Sequence, residues 1–157
     1  MCGITGIHGK ADGSAWATAH RMTEALSHRG PDAEGHWTDE RQVVLGHRRL
    51  SILDTSDTAN QPMISWCGRY VIAFNGEVYN YRELKEELDY PFKTTGDTEV
   101  VLAALREWGV AALHRFNGMF ALALWDCTEE RLLLARDRMG IKPLYLHASD
   151  ELSLIHI

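Results

Sequence analysis

The chain has 157 residues, a length sufficient to bury the core of one domain, and a net charge of −6 at pH 7. Its basic residues are dispersed, which argues against a nucleic-acid or anionic-membrane surface, since both need clustered Lys and Arg. The three cysteines, Cys2, Cys67 and Cys127, are too few and too widely spaced for a disulfide framework, so we expect reduced thiols.

The N-terminal region shows no targeting segment, because no basic stretch followed by an apolar run occurs there. The longest strongly apolar run, residues 119–125, is far too short to span a bilayer. We therefore expect a cytoplasmic protein with neither a membrane nor a nucleic acid as partner.

Short apolar segments rich in β-branched or aromatic residues predict strands. In chain order these are residues 2–8, 42–45, 50–53, 70–74, 119–125 and 131–135. Helical spacing predicts helices over residues 15–27, 81–88 and 98–108. Residues 128–130 join the last two strands and indicate a hairpin turn. Strands clustered in this way, with helices between them, predict a layered α+β fold with antiparallel sheets.

Cys2 is the most informative residue, because removal of Met1 would place a thiol and a free α-amine on one residue. A thiol attacks as the thiolate and is mostly protonated near neutral pH. An α-amine, with a pKa of about 7.7–8.0, can accept its proton directly or through a water. The pattern therefore favours a nucleophile that carries its own base, although a cysteine also occurs at position 2 by chance.

Asn75 and Gly76 follow an apolar strand, where a carboxamide N–H and a backbone N–H can converge on one oxygen as an oxyanion hole. Asn-Gly is also the strongest short hairpin signal, so a tight turn is the competing interpretation. Both remain open.

Charged residues flank the predicted elements. Arg48 and Arg49 precede the predicted strand at 50–53, where a guanidinium can grip a carboxylate with two parallel hydrogen bonds. Asp97 precedes the clearest helix and is first of all a good N-cap, with an acidic partner for a substrate ammonium as the second interpretation. Residues 28–32 favour a rigid turn over direct catalysis.

In this order, the segments resemble the class II glutamine amidotransferase domain, and within it the N-terminal half of glutamine-hydrolysing asparagine synthetases. The resemblance covers residues 2–147. The motifs that carry it are CGI (2–4), HRGPD (28–32), GHRRLSI (46–52), QP (61–62), NGEVYN (75–80), DTE (97–99), NGMFA (117–121) and RDRMGIKPLY (136–145).

The resemblance implies an N-terminal-nucleophile hydrolase fold, a four-layer αββα sandwich of two antiparallel sheets between helical layers. It also implies that Cys2 is the nucleophile and its α-amine the base, with Asn75 and the Gly76 amide as the oxyanion hole. The implied substrate is free L-glutamine. Its α-carboxylate would be held by Arg49, with backbone help near Leu53, and its α-ammonium by Glu77 and Asp97.

The implied reaction is hydrolysis of glutamine to glutamate and ammonia through a γ-glutamyl thioester, with no metal or organic cofactor. In the family, the ammonia passes to a synthetase domain that uses ATP and Mg²⁺ to amidate aspartate. This chain lacks the phosphate-loop motifs of such a domain. Residues 148–157 depart from the family pattern, so we interpret them as an aberrant or truncated tail whose missing strand would expose a sheet edge.

Three alternatives stay open. The chain could supply ammonia in another amidotransferase, or be a non-catalytic fragment that keeps the fold. Cys67 or Cys127 could instead serve a Cys-His hydrolase, but neither lies in a motif, so buried or incidental thiols are the simpler interpretation.

No histidine pair has i,i+4 spacing, so no metal site is predicted. A homodimer of the full-length enzyme is left open.

Overall fold

The computed structural model describes residues 2–9, 11–149 and 152–156, the last of these as backbone only. The strands are β1 (Gly3–Gly9), β2 (Ala33–Thr38), β3 (Val43–Arg49), β4 (Met63–Ile64), β5 (Tyr70–Val78), β6 (Gly118–Asp126), β7 (Arg131–Arg136), β8 (Tyr145–Ala148) and β9 (Leu152–His156). The helices are α1 (Gly13–Ala25), α2 (Tyr81–Glu86) and α3 (Asp97–Trp108), with short 3₁₀ turns at Asp57–Ala59 and Gly109–His114.

The strands form two antiparallel sheets. The first has the order β2-β3-β1-β9-β8 and the second the order β4-β5-β6-β7. The hairpin predicted at residues 128–130 is confirmed, since it joins β6 to its antiparallel neighbour β7.

Alternating side chains stack the elements in layers, because successive residues of a strand point to opposite faces. On β3, Val44 packs against α1, whereas its neighbour Leu45 packs against Val71 of β5 in the second sheet. On β5, Phe74 faces the other way, into the large cluster built with α2 and α3. The layer order is therefore α1, first sheet, second sheet, and α2 with α3. The predicted α+β class with two antiparallel sheets is confirmed.

Three of the four strands that the sequence missed lie at sheet edges, and the fourth, β9, lies between β1 and β8. β2 and β8 are the outer strands of the first sheet, and β4 is an outer strand of the second. An edge strand pairs on one side only, so it is short or polar more often than a central strand and its apolar signal is weak. The polar residues of β2 illustrate this effect.

The strand predicted at residues 50–53 is wrong, because β3 ends at Arg49 and these residues form a loop. Ser51 N–H donates to the Asp32 carboxylate at 2.7 Å instead of to a neighbouring strand. Ile52 and Leu53 are 69% and 41% exposed, so their apolar character does not mark the core.

The strand that we expected to be missing is present, because the C-terminal tail supplies a strand of the first sheet. The backbone of Leu152–His156 forms β9, which pairs with β1 on one side and β8 on the other. Strand pairing uses backbone N–H and C=O groups, so a segment that departs from the family pattern can still complete the sheet. Residues 150, 151 and 157 of the predicted tail lie outside the described residues.

The helices begin and end within two residues of the predictions. Within the described residues, no helix is long and apolar enough to cross a membrane.

Candidate active site

A pocket of about 110 Å³ contains the seven residues to which the family resemblance assigned catalysis or substrate binding. Its lining comes from the residue before β1, the end of β3 and the loop after it, the middle of β5, and the start of α3. The predicted residues in it are Cys2, Arg49, Leu53, Asn75, Gly76, Glu77 and Asp97.

The Cys2 thiol is half-buried and held in place by the first residue after β3. Its Sγ accepts a hydrogen bond from Leu50 N–H at 3.3 Å and lies 3.6 Å from the Leu50 carbonyl oxygen. The Cys2 carbonyl accepts a hydrogen bond from Arg29 Nε at 3.2 Å. Arg29 belongs to the 28–32 segment, so this rigid turn fixes the backbone of Cys2.

Asn75 and Gly76 lie in the middle of β5, opposite Ala121 and Phe120 of β6, so the tight-turn interpretation is wrong. The glycine is required by sheet packing, because a Cβ there would lie 2.3 Å from the Met119 carbonyl oxygen. Asn75 is only 2% exposed, and among the described residues its buried Nδ2 has no hydrogen-bond partner. Such a donor is rare in a folded protein and requires a specific explanation.

The backbone N–H of Gly76 points to the edge of β5 that faces away from β6. Along a strand, N–H groups two residues apart point to the same side. Phe74 N–H donates to Gln61 Oε1 at 2.7 Å, and Val78 N–H donates to Asp97 Oδ2 at 2.8 Å. Beyond the end of the two-residue β4, the side chains of Gln61 and Asp97 thus accept the hydrogen bonds that a neighbouring strand would otherwise accept, one on each side of Gly76.

Arg49, the last residue of β3, is 7% exposed and is held by neutral oxygens. Its guanidinium donates to the Ser56 carbonyl and to Asn60 Oδ1, each at 2.8 Å, and also to the Asp54 carbonyl. In the described part of the chain, no carboxylate forms an ion pair with it. A buried guanidinium bound only by neutral acceptors keeps its full charge for an anionic ligand.

Asp97 is the first residue of α3, and the N-cap position belongs to Gly96, so the N-cap interpretation is wrong. The carboxylate is committed to Val78 N–H of β5 instead. Burial raises the pKa of Asp97 to about 6, and the negative charge of Glu77 acts in the same direction. The pocket therefore places the carboxylates of Glu77 and Asp97 in the same cavity as the Arg49 guanidinium, which suits a zwitterionic ligand.

Lys142 also lines the pocket, and the sequence did not identify it as a site residue. It is 3% exposed and its backbone N–H donates to the Asp137 carboxylate at 2.9 Å. Burial lowers the pKa of Lys142, as does the positive charge of Arg29, while Cys2, Asp137 and Glu77 raise it. Its segment, RDRMGIKPLY, carried a family resemblance but no chemical interpretation, so that motif was the available signal.

Asp137 fixes the loop that carries Lys142. Its carboxylate accepts hydrogen bonds from the N–H groups of Phe120, Met139, Ile141 and Lys142 at 2.9–3.1 Å. Burial acts to raise the pKa of Asp137, but these donors outweigh it and hold the pKa below its usual value.

A comparison with protein families gives the class of this fold and site. The family of the glutamine amidotransferase domain matches residues 1–156. The chain therefore belongs to that family, as its motifs predicted.

Individual relatives narrow the similarity further. The chain is 43% identical, over 92% of its length, to asparagine synthetase [glutamine-hydrolyzing] 1 of Bacillus subtilis, and covers 24% of that protein. It is 41% identical, over 93% of its length, to a putative asparagine synthetase [glutamine-hydrolyzing] of Mycobacterium bovis, and covers 25% of it. Amidase chry2 of Gibberella zeae is 39% identical over 92% of the chain, which covers 24% of that protein. The chain thus spans about a quarter of the length of these curated relatives.

Proposed function

We propose that this chain is an N-terminal-nucleophile hydrolase that converts free L-glutamine to glutamate and ammonia, with Cys2 as the nucleophile. The observation that carries the proposal is the buried, unpartnered Nδ2 of Asn75 in the same pocket as the Cys2 thiol. Attack on a carboxamide needs a nucleophile together with a donor for the developing oxyanion.

The first chemical step uses the α-amine that removal of Met1 frees. That amine takes the proton of the Cys2 thiol, and the thiolate attacks the side-chain carbonyl carbon of glutamine. The carbonyl oxygen becomes an oxyanion that accepts hydrogen bonds from Asn75 Nδ2 and the Gly76 N–H. The intermediate then collapses, the C–N bond breaks, and the nitrogen leaves as ammonia after it has received the proton.

The second step hydrolyses the γ-glutamyl thioester. A water gives a proton to the Cys2 α-amine and attacks the thioester carbon at the same oxyanion hole. The C–S bond breaks, the thiol recovers its proton, and glutamate leaves. No metal ion or organic cofactor takes part in either step.

Substrate selection follows from the charges in the pocket. Arg49 binds the α-carboxylate of glutamine, with the backbone near Leu53 beside it, and Glu77 and Asp97 bind the α-ammonium. A glutamine within a peptide lacks both charges and would leave these buried groups unpaired, which strongly disfavours binding.

We further propose that the ammonia serves an ATP-dependent amidation of aspartate by the synthetase part of a longer protein, where Mg²⁺ and ATP belong. Support comes from the Bacillus and Mycobacterium relatives, which are named as glutamine-hydrolysing asparagine synthetases. These proteins are about four times as long as the matched region. The similarity to amidase chry2 favours a second candidate, an amidotransferase with another ammonia acceptor.

A glutaminase assay on the purified, Met1-trimmed chain tests the proposal, with trimming verified by mass spectrometry. We expect equal amounts of glutamate and ammonia, and loss of both in Cys2→Ala. Cys67→Ala is the matched control, because Cys67 is an exposed cysteine that does not line the pocket. Turnover that survives in Cys2→Ala, or a folded and trimmed chain without activity, would contradict the assignment.

A further inference from the structure

A cluster of two histidines and one glutamate lies on the face of the first sheet that α1 covers. Glu34 and His36 are two residues apart on β2 and share a face, and His20 reaches them from α1. Arg48 pairs with Glu34 on this face, whereas the next residue, Arg49, points to the pocket on the other side. The cluster is therefore separate from the candidate active site.

The three side chains present nitrogen and oxygen atoms to one another at short range. Each offers one ligand atom, and these atoms all lie within 4.8 Å of each other. The Nδ1 atoms of His20 and His36 lie 3.9 and 3.6 Å from the same oxygen of Glu34. The two imidazole rings stack with their centroids 3.6 Å apart.

Both imidazoles have unsatisfied nitrogen atoms. In the part of the chain that the structure describes, Nε2 of His20 and Nε2 of His36 are buried without a hydrogen-bond partner. Only 7% of the His36 side chain is exposed. Burial lowers the pKa of His36 to about 4, and the charge of His20 acts in the same direction, so His36 is neutral near pH 7. A neutral imidazole is the form that binds a metal ion.

We propose that His20, Glu34 and His36 form a binding site for a divalent transition-metal ion of the zinc type. Two imidazoles and a carboxylate suit such ions better than Ca²⁺ or Mg²⁺, which prefer all-oxygen sites. Ligands on a tetrahedral Zn²⁺ with bonds of about 2.0–2.1 Å lie roughly 3.4 Å apart. The two Nδ1–Oε1 distances therefore need only small closure, whereas the stacked rings must turn to aim both nitrogens at one ion. The half-exposed His20 can turn its ring to complete the ligand set.

Arg48 supports this site through the second oxygen of Glu34. Its Nη2 lies 2.5 Å from Glu34 Oε2, and its Nε donates to the Thr23 carbonyl of α1 at 3.3 Å. Glu34 Oε1 is thereby directed toward the histidines, in the way that outer-shell groups orient metal ligands. A bound ion would connect α1 to β2 and stabilise the helical layer on the first sheet.

Calorimetric titration with Zn²⁺ tests the proposal in a Cys2→Ala, Cys67→Ser, Cys127→Ser background, which removes thiols that also bind zinc. We expect one equivalent to bind and the melting temperature to rise. His20→Ala and Glu34→Gln should each weaken binding by at least about tenfold. His114→Ala, which removes an exposed histidine at the end of a 3₁₀ turn, should leave it unchanged.

A fluorescence measurement locates the ion without altering a ligand. The centroid of the Trp16 ring lies 4.8 Å from that of the His20 ring and 5.8 Å from that of the His36 ring. Cu²⁺ at the cluster should quench the emission of Trp16, and Trp16→Phe should remove that quenching. Equal zinc affinity in His20→Ala, Glu34→Gln and His114→Ala, or no saturable binding in the cysteine-free background, would overturn the proposal.

Discussion

Asp97 shows how one side chain serves both the fold and the candidate site. Its carboxylate closes the backbone of β5 by accepting the Val78 N–H, and it does so at 6% exposure beside Glu77. Burial of the ionised form is unfavourable, which is why the pKa of Asp97 is raised to about 6. An ammonium placed between Asp97 and Glu77 would offset this cost.

The first prediction concerns the pH dependence of kcat/KM for glutamine, which reports the free enzyme. Asp97 must be ionised to hold the ammonium, and the α-amine of Cys2, with an ordinary pKa of about 7.7–8.0, must be neutral to act as base. Below pH 6, log kcat/KM should therefore fall with a slope that approaches two. In Asp97→Asn the slope should stay at one, with kcat/KM at pH 8 reduced about 10–100-fold.

The same variant has an opposite effect on stability. An acid whose pKa is raised by folding holds its proton more tightly in the folded state. Its contribution to stability therefore falls as pH rises from 3.8 to about 6. Asp97→Asn keeps an acceptor for Val78 N–H and removes the buried charge, so its free energy of unfolding at pH 7 should be unchanged or higher. Strong destabilisation in urea, or a slope of two in the variant, would contradict this account.

Lys142 provides the second prediction at the residue scale. Its buried ammonium is within electrostatic reach of Cys2, so in the proposed mechanism it would stabilise negative charge that develops on the sulfur and on the oxyanion. Lys142→Met should lower kcat at least about tenfold, which corresponds to roughly 1.4 kcal/mol of transition-state stabilisation, with a smaller change in KM. Lys93→Met, at an exposed position, is the control. A change confined to KM would show that Lys142 binds glutamine rather than the reacting atoms.

At the scale of elements, the site is built where β5 changes its hydrogen-bonding partners. β4 is only two residues long, and beyond it Gln61 and Asp97 accept the N–H groups of Phe74 and Val78. The Gly76 N–H between them is left pointing to the pocket edge. The sequence identified Asn75 and Gly76 but allowed a turn, because only the register with β6 distinguishes a glycine required by a turn from one required by packing.

The 28–32 segment illustrates a local prediction with a tertiary reason. The Gly-Pro pair predicted a restricted backbone, but the sequence did not predict that this turn packs against the end of β3. A Cβ on Gly30 would lie 2.4 Å from the Arg48 carbonyl carbon and 2.5 Å from Arg49 N. Asp32 N–H also donates to the Arg49 carbonyl at 3.0 Å. The turn therefore sets the position of the end of β3.

Gly30→Ala is the element-scale prediction. The added methyl group should push β3 and the turn apart, lower the free energy of unfolding by about 1–3 kcal/mol, and raise KM for glutamine as Arg49 is displaced. Gly13→Ala is the matched control, because no atom lies within 4 Å of the new Cβ at the start of α1. Denaturant unfolding and steady-state kinetics on both variants check this. Equal KM values in the two variants would show that Gly30 does not position Arg49.

For the whole molecule, local sequence patterns predicted the helices and the central strands other than β9, and the family resemblance supplied seven of the pocket residues. They could not predict what distant segments create together. Lys142 enters the pocket through the Asp137 loop, and His20 meets Glu34 and His36 only when α1 lies on the first sheet. In the same way, the burial of polar residues such as His47 depends on how the layers stack. The energetic effect of that burial therefore appears only in the folded chain.

His47 lies between the two sheets, where it is 1% exposed and its Nε2 is 3.0 Å from the Phe74 carbonyl oxygen. Burial lowers the pKa of His47 to about 4, and Arg49 acts in the same direction. The ring is therefore neutral at pH 7 and donates its Nε2 proton to that carbonyl. Because the Phe74 carbonyl belongs to the peptide that leads into Asn75, this contact supports the predicted oxyanion donor.

The last prediction follows from the pKa values of His47 and His36, both lowered to about 4 by burial. Between pH 6.5 and 4 the unfolded chain binds these protons and the folded chain does not. The stability they provide is therefore lost as pH falls, and Asp97 opposes them with a single proton.

His47→Gln keeps a donor for the Phe74 carbonyl but does not titrate. Urea unfolding should show its stability falling less steeply on acidification, by up to about 1.4 kcal/mol per pH unit. The control His114→Gln, at an exposed position, should follow the wild type. Identical pH dependence in all three proteins would mean that His47 accepts a proton without unfolding.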